Sequence, residues 1–372
     1  MELEPAVTET PGVDPGLVRI VERAVPGARV LRAKVLGSDD ASAGEQPTSK
    51  AAGYGIPIRI DIEVSGQTRR VVLHGSSANQ FGHDRRADRA AELLLAADTY
   101  GSIPAHSRVL DVGAFRRDGT SVSLMDSGEY YLLTDYVAGT PYAEDLRRIV
   151  QARSSTPADL QRVRVMVDYL VSLHAERPEV PGAYRRSLRD LLGGGEGIFG
   201  IVDAYLPDTP GASPALLREL EQRCLDFRWR LRGRASRLAR IHADFHPFNV
   251  LFDEQGTLRV LDTSRGSLGD PADDVACMAV NFVFFALEAS ASWGPAFSQL
   301  WREFWGRYLA KSGDTELLAV VAPFLTWRLL VLCCPAWYPH LSGNARERLF
   351  ALANAALLAE RFDPELAERV FA

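Results

Sequence analysis

Apolar and polar residues alternate along 55–64, with Ile56, Ile58, Ile60 and Ile62 on one side and Arg59, Asp61 and Glu63 on the other. That is the period of a half-buried strand. The Ser65-Gly66 turn leads into a second run at 70–73, so the pair predicts a hairpin. Upstream, 17–24 has the spacing of a short helix and 28–36 that of a strand rich in Val and Leu. The stretch 38–50, dominated by Ser, Asp, Ala, Gly, Gln and Pro, has loop composition. Helical spacing returns at 85–97 through Ala87, Ala90, Ala91, Leu94 and Leu95, and two short strands are expected near 109–114 and 130–134. These elements predict a small, mostly antiparallel α+β unit. From residue 140 onward the period is helical, at 145–151, 157–174, 213–230 and most of 275–372, with one β-rich interruption between His242 and Asp262. The boundary is placed at Val137-Ala138-Gly139, which gives domains of 1–137 and 138–372.

Composition narrows the function classes. The chain has 372 residues, 47% of them hydrophobic, which is enough for two or three ordinary cores. Its net charge is −6, so no overall positive field exists to hold nucleic acid or an anionic membrane surface. The apolar stretches 275–287 and 320–334 are short for a membrane span and are interrupted by Asn281, Pro323 and Arg328. Residues 1–16 are acidic and lack the basic start and apolar run of a secretion signal. Cys224, Cys277, Cys333 and Cys334 show no paired spacing and read as reduced thiols. A cytoplasmic protein is therefore expected. Lys34, Lys50 and Lys311 are the three lysines, so lysine chemistry has few candidates.

The densest polar cluster is Ile241-His242-Ala243-Asp244-Phe245-His246-Pro247-Phe248-Asn249-Val250-Leu251-Phe252, followed by a turn at 253–256, a strand at 257–261 and Asp262. This order brings acidic and amide oxygens to one end of a short hairpin flanked by apolar strand residues. Magnesium prefers oxygen ligands and needs one or two protein oxygens beside phosphate and water. Asn249 and Asp262 suit that role, and Asp244, five residues before Asn249, can face a hydroxyl and accept its proton.

The pattern His-x-Asp-x-x-x-x-Asn, followed thirteen residues later by Asp, resembles the catalytic loop and magnesium aspartate of protein-kinase-like phosphotransferases. With His246, Pro247 and Asn249 after Asp244, and Gly269-Asp270-Pro271-Ala272-Asp273-Asp274 after Asp262, it is similar to the aminoglycoside phosphotransferase and choline kinase branch. The resemblance implies an α+β, protein-kinase-like bilobal fold, with a small antiparallel-sheet N-lobe carrying one helix and a large helical C-lobe. It implies ATP or GTP and Mg2+ as cofactors, and a small hydroxylated molecule as phosphoryl acceptor. Asp244 would orient or deprotonate the acceptor, His242 would brace the loop, and Asn249 and Asp262 would hold magnesium. Asp274 matches the family's structural aspartate and is expected to cap the helix that follows. The segment Tyr131-Leu132-Leu133-Thr134-Asp135-Tyr136-Val137-Ala138-Gly139 resembles the linker whose backbone, around Asp135 and Val137, hydrogen-bonds the adenine. Leu170-Val171-Ser172-Leu173-His174 resembles a C-lobe helix end.

Departures from the family carry information too. Where a strand lysine would meet the nucleotide phosphates, after Val71-Val72-Leu73, the chain has His74. The alternative contact is Lys50 from the 38–53 loop, or Lys34 from the first strand. Asp88 best matches the helical acid that would pair with that cation, and Glu92 less well. The missing lysine motivates a second reading, a nucleotide- or metabolite-binding relative with weak or no turnover. A third makes His242, Asp244 and His246 ligands of a hydrolase metal, although no second cluster follows at ligand spacing.

Other motifs have plainer readings. Gly195-Glu196-Gly197-Ile198-Phe199-Gly200 matches a dinucleotide fingerprint by letter, but it follows a helical pattern at 184–192 and is expected to be a packing loop bordering the acceptor pocket. Arg228, Arg230, Arg232, Arg234, Arg237 and Arg240 are expected to form a solvated helix end, or else a contact for an acidic acceptor or partner. The aromatic segment 327–338 is expected in the core, and Arg265 is expected either at phosphate or acceptor, or paired with Asp270 or Asp273. Oligomeric state is not legible.

Overall fold

The isoleucine alternation becomes the centre of a three-stranded antiparallel sheet. In the computed structural model, which describes residues 13–36, 55, 57–263, 265–290 and 293–371, β1 (Arg29–Val35) pairs with β2 (Ile58–Val64), and β2 pairs with β3 (Gln67–Leu73). Ser65 and Gly66 both adopt positive φ, 52° and 76°, as the two-residue hairpin turn requires. Ile60 and Ile62 are buried with Val30 against Leu17 and Val21 of α1 (Pro15–Ala24), whose first turn is capped by the Asp14 carboxylate. Ile56, Lys50 and the 38–50 loop lie outside the described residues.

The same unit holds α2 (Arg86–Thr99) and a second hairpin, β4 (Gly113–Phe115) with β5 (Ser121–Ser123). Two elements differ from the expectation. The strand expected near 109–114 begins at Gly113, and its partner is β5, which the pattern did not predict; Asp118 accepts from Thr120 N and turns the chain back at Gly119. The strand expected at 130–134 does not form. Its apolar run is well suited to a strand, but Tyr131, Leu132 and Leu133 are exposed and have no ladder partner among the described residues. A strand requires an edge to pair with as well as a favourable sequence.

The chain divides into two compact units, Met1–Thr134 and Asp135–Ala372. In the second, β6 (Thr140–Pro141) leads into α3 (Tyr142–Ala152), α4 (Pro157–His174), α5 (Ala183–Gly193), α6 (Ile198–Asp203) and α7 (Pro214–Leu231). Short strands follow, β7 (Ala239–Arg240), β8 (Val250–Phe252), β9 (Leu258–Val260) and β10 (Leu268–Gly269). The chain closes with α8 (Ala272–Ser290), α9 (Pro295–Ser312), α10 (Leu317–Val320), α11 (Ala322–Cys333), α12 (Gly343–Leu358) and α13 (Leu366–Phe371). The architecture is thus α+β, with one small antiparallel unit and one mainly helical unit.

Sequence chemistry sets these helices. Thr156 and Asp159 form a capping box ahead of Pro157, which fixes the start of α4. Helices α8 and α11 are apolar nearly all round and form the centre of the large core. No described helix is long and apolar enough to cross a membrane. All four cysteines are buried and unbonded. One member of the arginine run departs from the expected solvated helix end: Arg237 is buried and grips Asp270 through two 2.8 Å hydrogen bonds, with Asp314 on its other side. A buried guanidinium needs such partners, and the two aspartates supply them.

Candidate active site

The loop after β7 is fixed by one buried carboxylate. Asp274 Oδ2 accepts from His242 N at 2.7 Å, and Oδ1 accepts from Ala243 N at 2.8 Å. His174, the last residue of α4, places Nε2 3.0 Å from the same carboxylate, and its Nδ1 meets the Tyr308 hydroxyl at 2.7 Å. Asp274 was expected to cap α8, and this needs correcting. The helix begins at Ala272, so Asp274 sits inside its first turn, and the capping bond is made by Asp270, whose Oδ1 accepts from Ala272 N at 3.0 Å. Asp274 is therefore free to hold a neighbouring loop instead of its own helix. The held residue is unusual: Ala243 has φ +68°, a left-handed conformation that alanine adopts only when its surroundings enforce it.

Asp244 follows directly, with its two oxygens in different environments. Oδ1 accepts from Arg328 Nη1 at 2.8 Å and Arg265 Nη1 at 3.0 Å. Oδ2 has only long contacts, to Asn249 Nδ2 at 3.4 Å and His246 Nε2 at 3.5 Å. Burial alone would raise the pKa of this carboxyl, but the His246 contact and the charges of Arg328 and Arg265 outweigh it and hold Asp244 well below the usual carboxylate range. Asp244 is thus an ionised group whose Oδ2 remains able to accept a hydroxyl.

The two guanidiniums lie over the Trp327 ring, Arg328 at 3.9 Å and Arg265 at 5.0 Å from its centroid. Arg265 also meets Glu196 Oε2 at 2.9 Å, and Trp327 Nε1 donates to the Glu196 carbonyl at 2.8 Å. The glycine-rich loop is thereby tied to Asp244 through Arg265 and Trp327. Its glycines serve close packing, since a Cβ on Gly200 would lie 2.1 Å from the Gly195 carbonyl oxygen. Arg265 takes neither expected aspartate partner. Trp327 is buried as expected, yet one face of it borders the site. Arg328 entered the sequence reading only as an interruption of an apolar stretch. That interruption was the available signal, because a lone charge on an otherwise apolar buried helix must find partners.

His242 is buried, with its ring edge-on to Phe245 at 5.7 Å and hydrogen-bonded to the backbone of Leu261. Burial lowers its pKa, so a neutral imidazole ties the loop to Leu261, just past the end of β9. Along β8 and β9, Val250 pairs with Val260, and Leu261 N donates to the Asn249 carbonyl at 2.9 Å. Asn249 and Asp262 therefore stand at the same end of the hairpin. Asn249 Nδ2 points to the Asp244 carbonyl at 3.1 Å, which turns its Oδ1 away from that contact. Asp262 is exposed and has φ +54°. One amide oxygen and one carboxylate form a hard-oxygen donor pair that fits magnesium.

The remaining predicted residues belong to the smaller unit or to the segment after it. His74 is exposed just past the end of β3. Asp88 Oδ2 accepts from Arg85 N at 3.0 Å and so holds the first turn of α2. Glu92, one turn on, reaches Ser76 Oγ at 2.5 Å and His83 Nε2 at 3.4 Å, so it is the helical acid facing the chain after β3. Asp135 and Val137 lie in a segment without regular secondary structure. Lys50 is outside the described residues. The large unit thus brings His242, Asp244, Asn249 and Asp262 together on one loop and hairpin. Among the described residues, no group of three or more His, Cys, Asp or Glu side chains has metal-binding geometry.

Solved structures with similar chain traces include an ethanolamine kinase of Plasmodium vivax, 12% identical over 82% of this chain and 80% of that one, with a TM-score of 0.36. A choline kinase of Cryptosporidium parvum Iowa II is 11% identical over 96% and 99% of the two chains, with a TM-score of 0.37. A glucosamine kinase is 15% identical over 94% and 98%, with a TM-score of 0.41. No curated protein matches the chain. With these TM-scores below 0.5, the assignment rests on sequence. The chain belongs to the phosphotransferase enzyme family, whose sequence model matches residues 72–311, more than half of its length.

Proposed function

We propose that this protein transfers the γ-phosphoryl group of a magnesium-bound nucleoside triphosphate to a hydroxyl of a small-molecule acceptor. The observation that carries the reading is the asymmetry of Asp244, ionised and anchored through Oδ1 but open at Oδ2, beside the Asn249 and Asp262 oxygens. An acceptor hydroxyl hydrogen-bonds to Asp244 Oδ2, which aims its lone pair at the phosphorus. Because Asp244 is a weak base here, it orients the hydroxyl and takes its proton late. That suits a loose phosphoryl-transfer transition state, in which positioning and electrostatics supply most of the rate. Asn249 and Asp262 would hold magnesium, which when bound neutralises charge on the phosphate oxygens. Backbone groups near Asp135 and Val137 would take the nucleotide base, and His74 would meet its phosphates. Several hydroxylated acceptor classes fit this machinery, since the acceptor pocket varies independently of the catalytic loop.

The test is an ATP- and GTP-dependent phosphorylation screen over amino-alcohols, sugars and hydroxylated antibiotics, read by mass spectrometry. A phosphorylated product that requires Mg2+ and nucleotide is expected. Absence of any product, together with no ADP or GDP release, would overturn the reading.

A further inference from the structure

Arg328 reaches the catalytic loop from α11, 84 residues away in sequence, and makes three hydrogen bonds there. Nη1 donates to Asp244 Oδ1 at 2.8 Å, while Nη2 donates to the Ala243 carbonyl at 2.7 Å and to Asp273 Oδ1 at 2.6 Å. The residue is 4% exposed, and its guanidinium is stacked on Trp327. The strained residue Ala243 is therefore pinned at both backbone groups, its N–H by Asp274 and its C=O by Arg328. Only a planar fork reaches a carbonyl and two carboxylates at once in a fixed plane; an ammonium is a point charge and cannot.

We infer that Arg328 is the positioning residue of the reaction, holding the left-handed Ala243 peptide and Asp244 Oδ1 so that Oδ2 is presented to the acceptor. This rests on the phosphotransfer reading above. Arg328 is buried, with its guanidinium bonded to Asp244, Ala243 and Asp273, and acts through Asp244. Arg265 does not substitute for it: Arg265 shares Oδ1 but makes no bond to the Ala243 carbonyl, and its other partner is the exposed Glu196. Asp273 completes the frame by fixing the second arm of the guanidinium from the first turn of α8.

The experiment compares wild type, Arg328→Lys, Asp244→Asn and the double variant. ADP release from Mg·ATP is followed with water as acceptor, and with any acceptor that the phosphorylation screen returns. Misplacement of a reacting group by about 1 Å costs on the order of 10²-fold, so kcat of Arg328→Lys should fall by about 10- to 100-fold. Its KM for Mg·ATP should stay within about twofold, because the loss lies in the reacting geometry. In the Asp244→Asn background the Arg328→Lys change should cost nothing further, since two residues acting as a unit are not additive. Thermal unfolding is measured beside each rate. If Arg328→Lys does not fold, Arg328→Gln, which keeps an amide donor near the Ala243 carbonyl, takes its place. Equal kcat in wild type and variant, or a loss that is the same with and without Asp244, would overturn the inference while leaving phosphotransfer intact. Failure of both Arg328 variants to fold would make the residue structural and overturn it as well. A wild type that releases no ADP with any acceptor sinks the phosphotransfer reading first, and the inference with it.

Discussion

The catalytic loop of the large unit and the chain after β3 in the small unit are both assigned to phosphotransfer, yet they are built in opposite ways. Around Asp244 the loop is fixed by buried partners while Oδ2 stays open: Asp274 holds two amides, Arg328 holds a carbonyl and two carboxylates, and His174 and Tyr308 back the clamp. Around His74, the side chain is exposed, and the helical acid nearest in register, Glu92, is satisfied by Ser76 and His83. The difference teaches where precision is needed. Under the proposed function a reacting hydroxyl must be aimed, which calls for a locked partner, whereas a phosphate contact places weaker demands on orientation.

Breaking the clamp should give the largest effect. Asp274→Ala leaves the His242 and Ala243 amides without their acceptor in a buried site, at a cost of roughly 1–3 kcal/mol for each. A urea unfolding midpoint well below that of wild type is expected, with turnover lost in the folded fraction. An unchanged midpoint would show that the loop does not depend on this carboxylate. Asp262→Ala should come next, abolishing the difference between nucleotide affinities measured with and without Mg2+. If titration calorimetry finds that difference intact, Asp262 is not a ligand. His74→Ala should weaken nucleotide binding by only about 1 kcal/mol, the scale of one exposed charged or polar contact. A loss as large as that of Asp262→Ala would break the contrast between the two regions.

A surface pair sets the lower bound. Asp168 on α4 is held by hydrogen bonds from Arg307, then by Lys311, which lower its pKa from 3.8 to about 2. A folded value below the unfolded one contributes stability that is present above about pH 4 and lost as pH falls through about 2. Solvent screening keeps that contribution small. Acid unfolding of Asp168→Asn should therefore lack a slight part of the wild-type decline in this window, and an enlarged decline would contradict the assignment.

Much of the fold was legible because local signals agreed. The apolar spacing over 157–174 marks α4 in the sequence, and the isoleucine alternation marks β2. The chemistry of the loop was legible as a spacing, since Asp244, Asn249 and Asp262 are joined by one short hairpin. What stayed hidden depends on tertiary contact. Arg328 and Trp327 reach Asp244 only when α11 packs beside the loop, and nothing local marks their partner. Asp274 looked like a helix cap because acids at helix starts usually are; its actual bonds run to residues 31 and 32 positions earlier. The strand expected at 130–134 failed for a related reason, because an apolar run does not reveal whether an edge awaits it.

The central claim is that the locked carboxylate of Asp244 aims the acceptor in phosphoryl transfer. Its most direct test is Asp244→Asn, with Mg·nucleotide affinity and acceptor-dependent turnover measured on the same preparation. The substitution keeps the shape and removes the charge, so turnover should fall by about 10²–10⁴-fold, the usual contribution of a group that handles the transferred proton. Mg·nucleotide affinity should remain nearly that of wild type. Undiminished turnover, or a loss explained wholly by weaker nucleotide binding, would contradict the account.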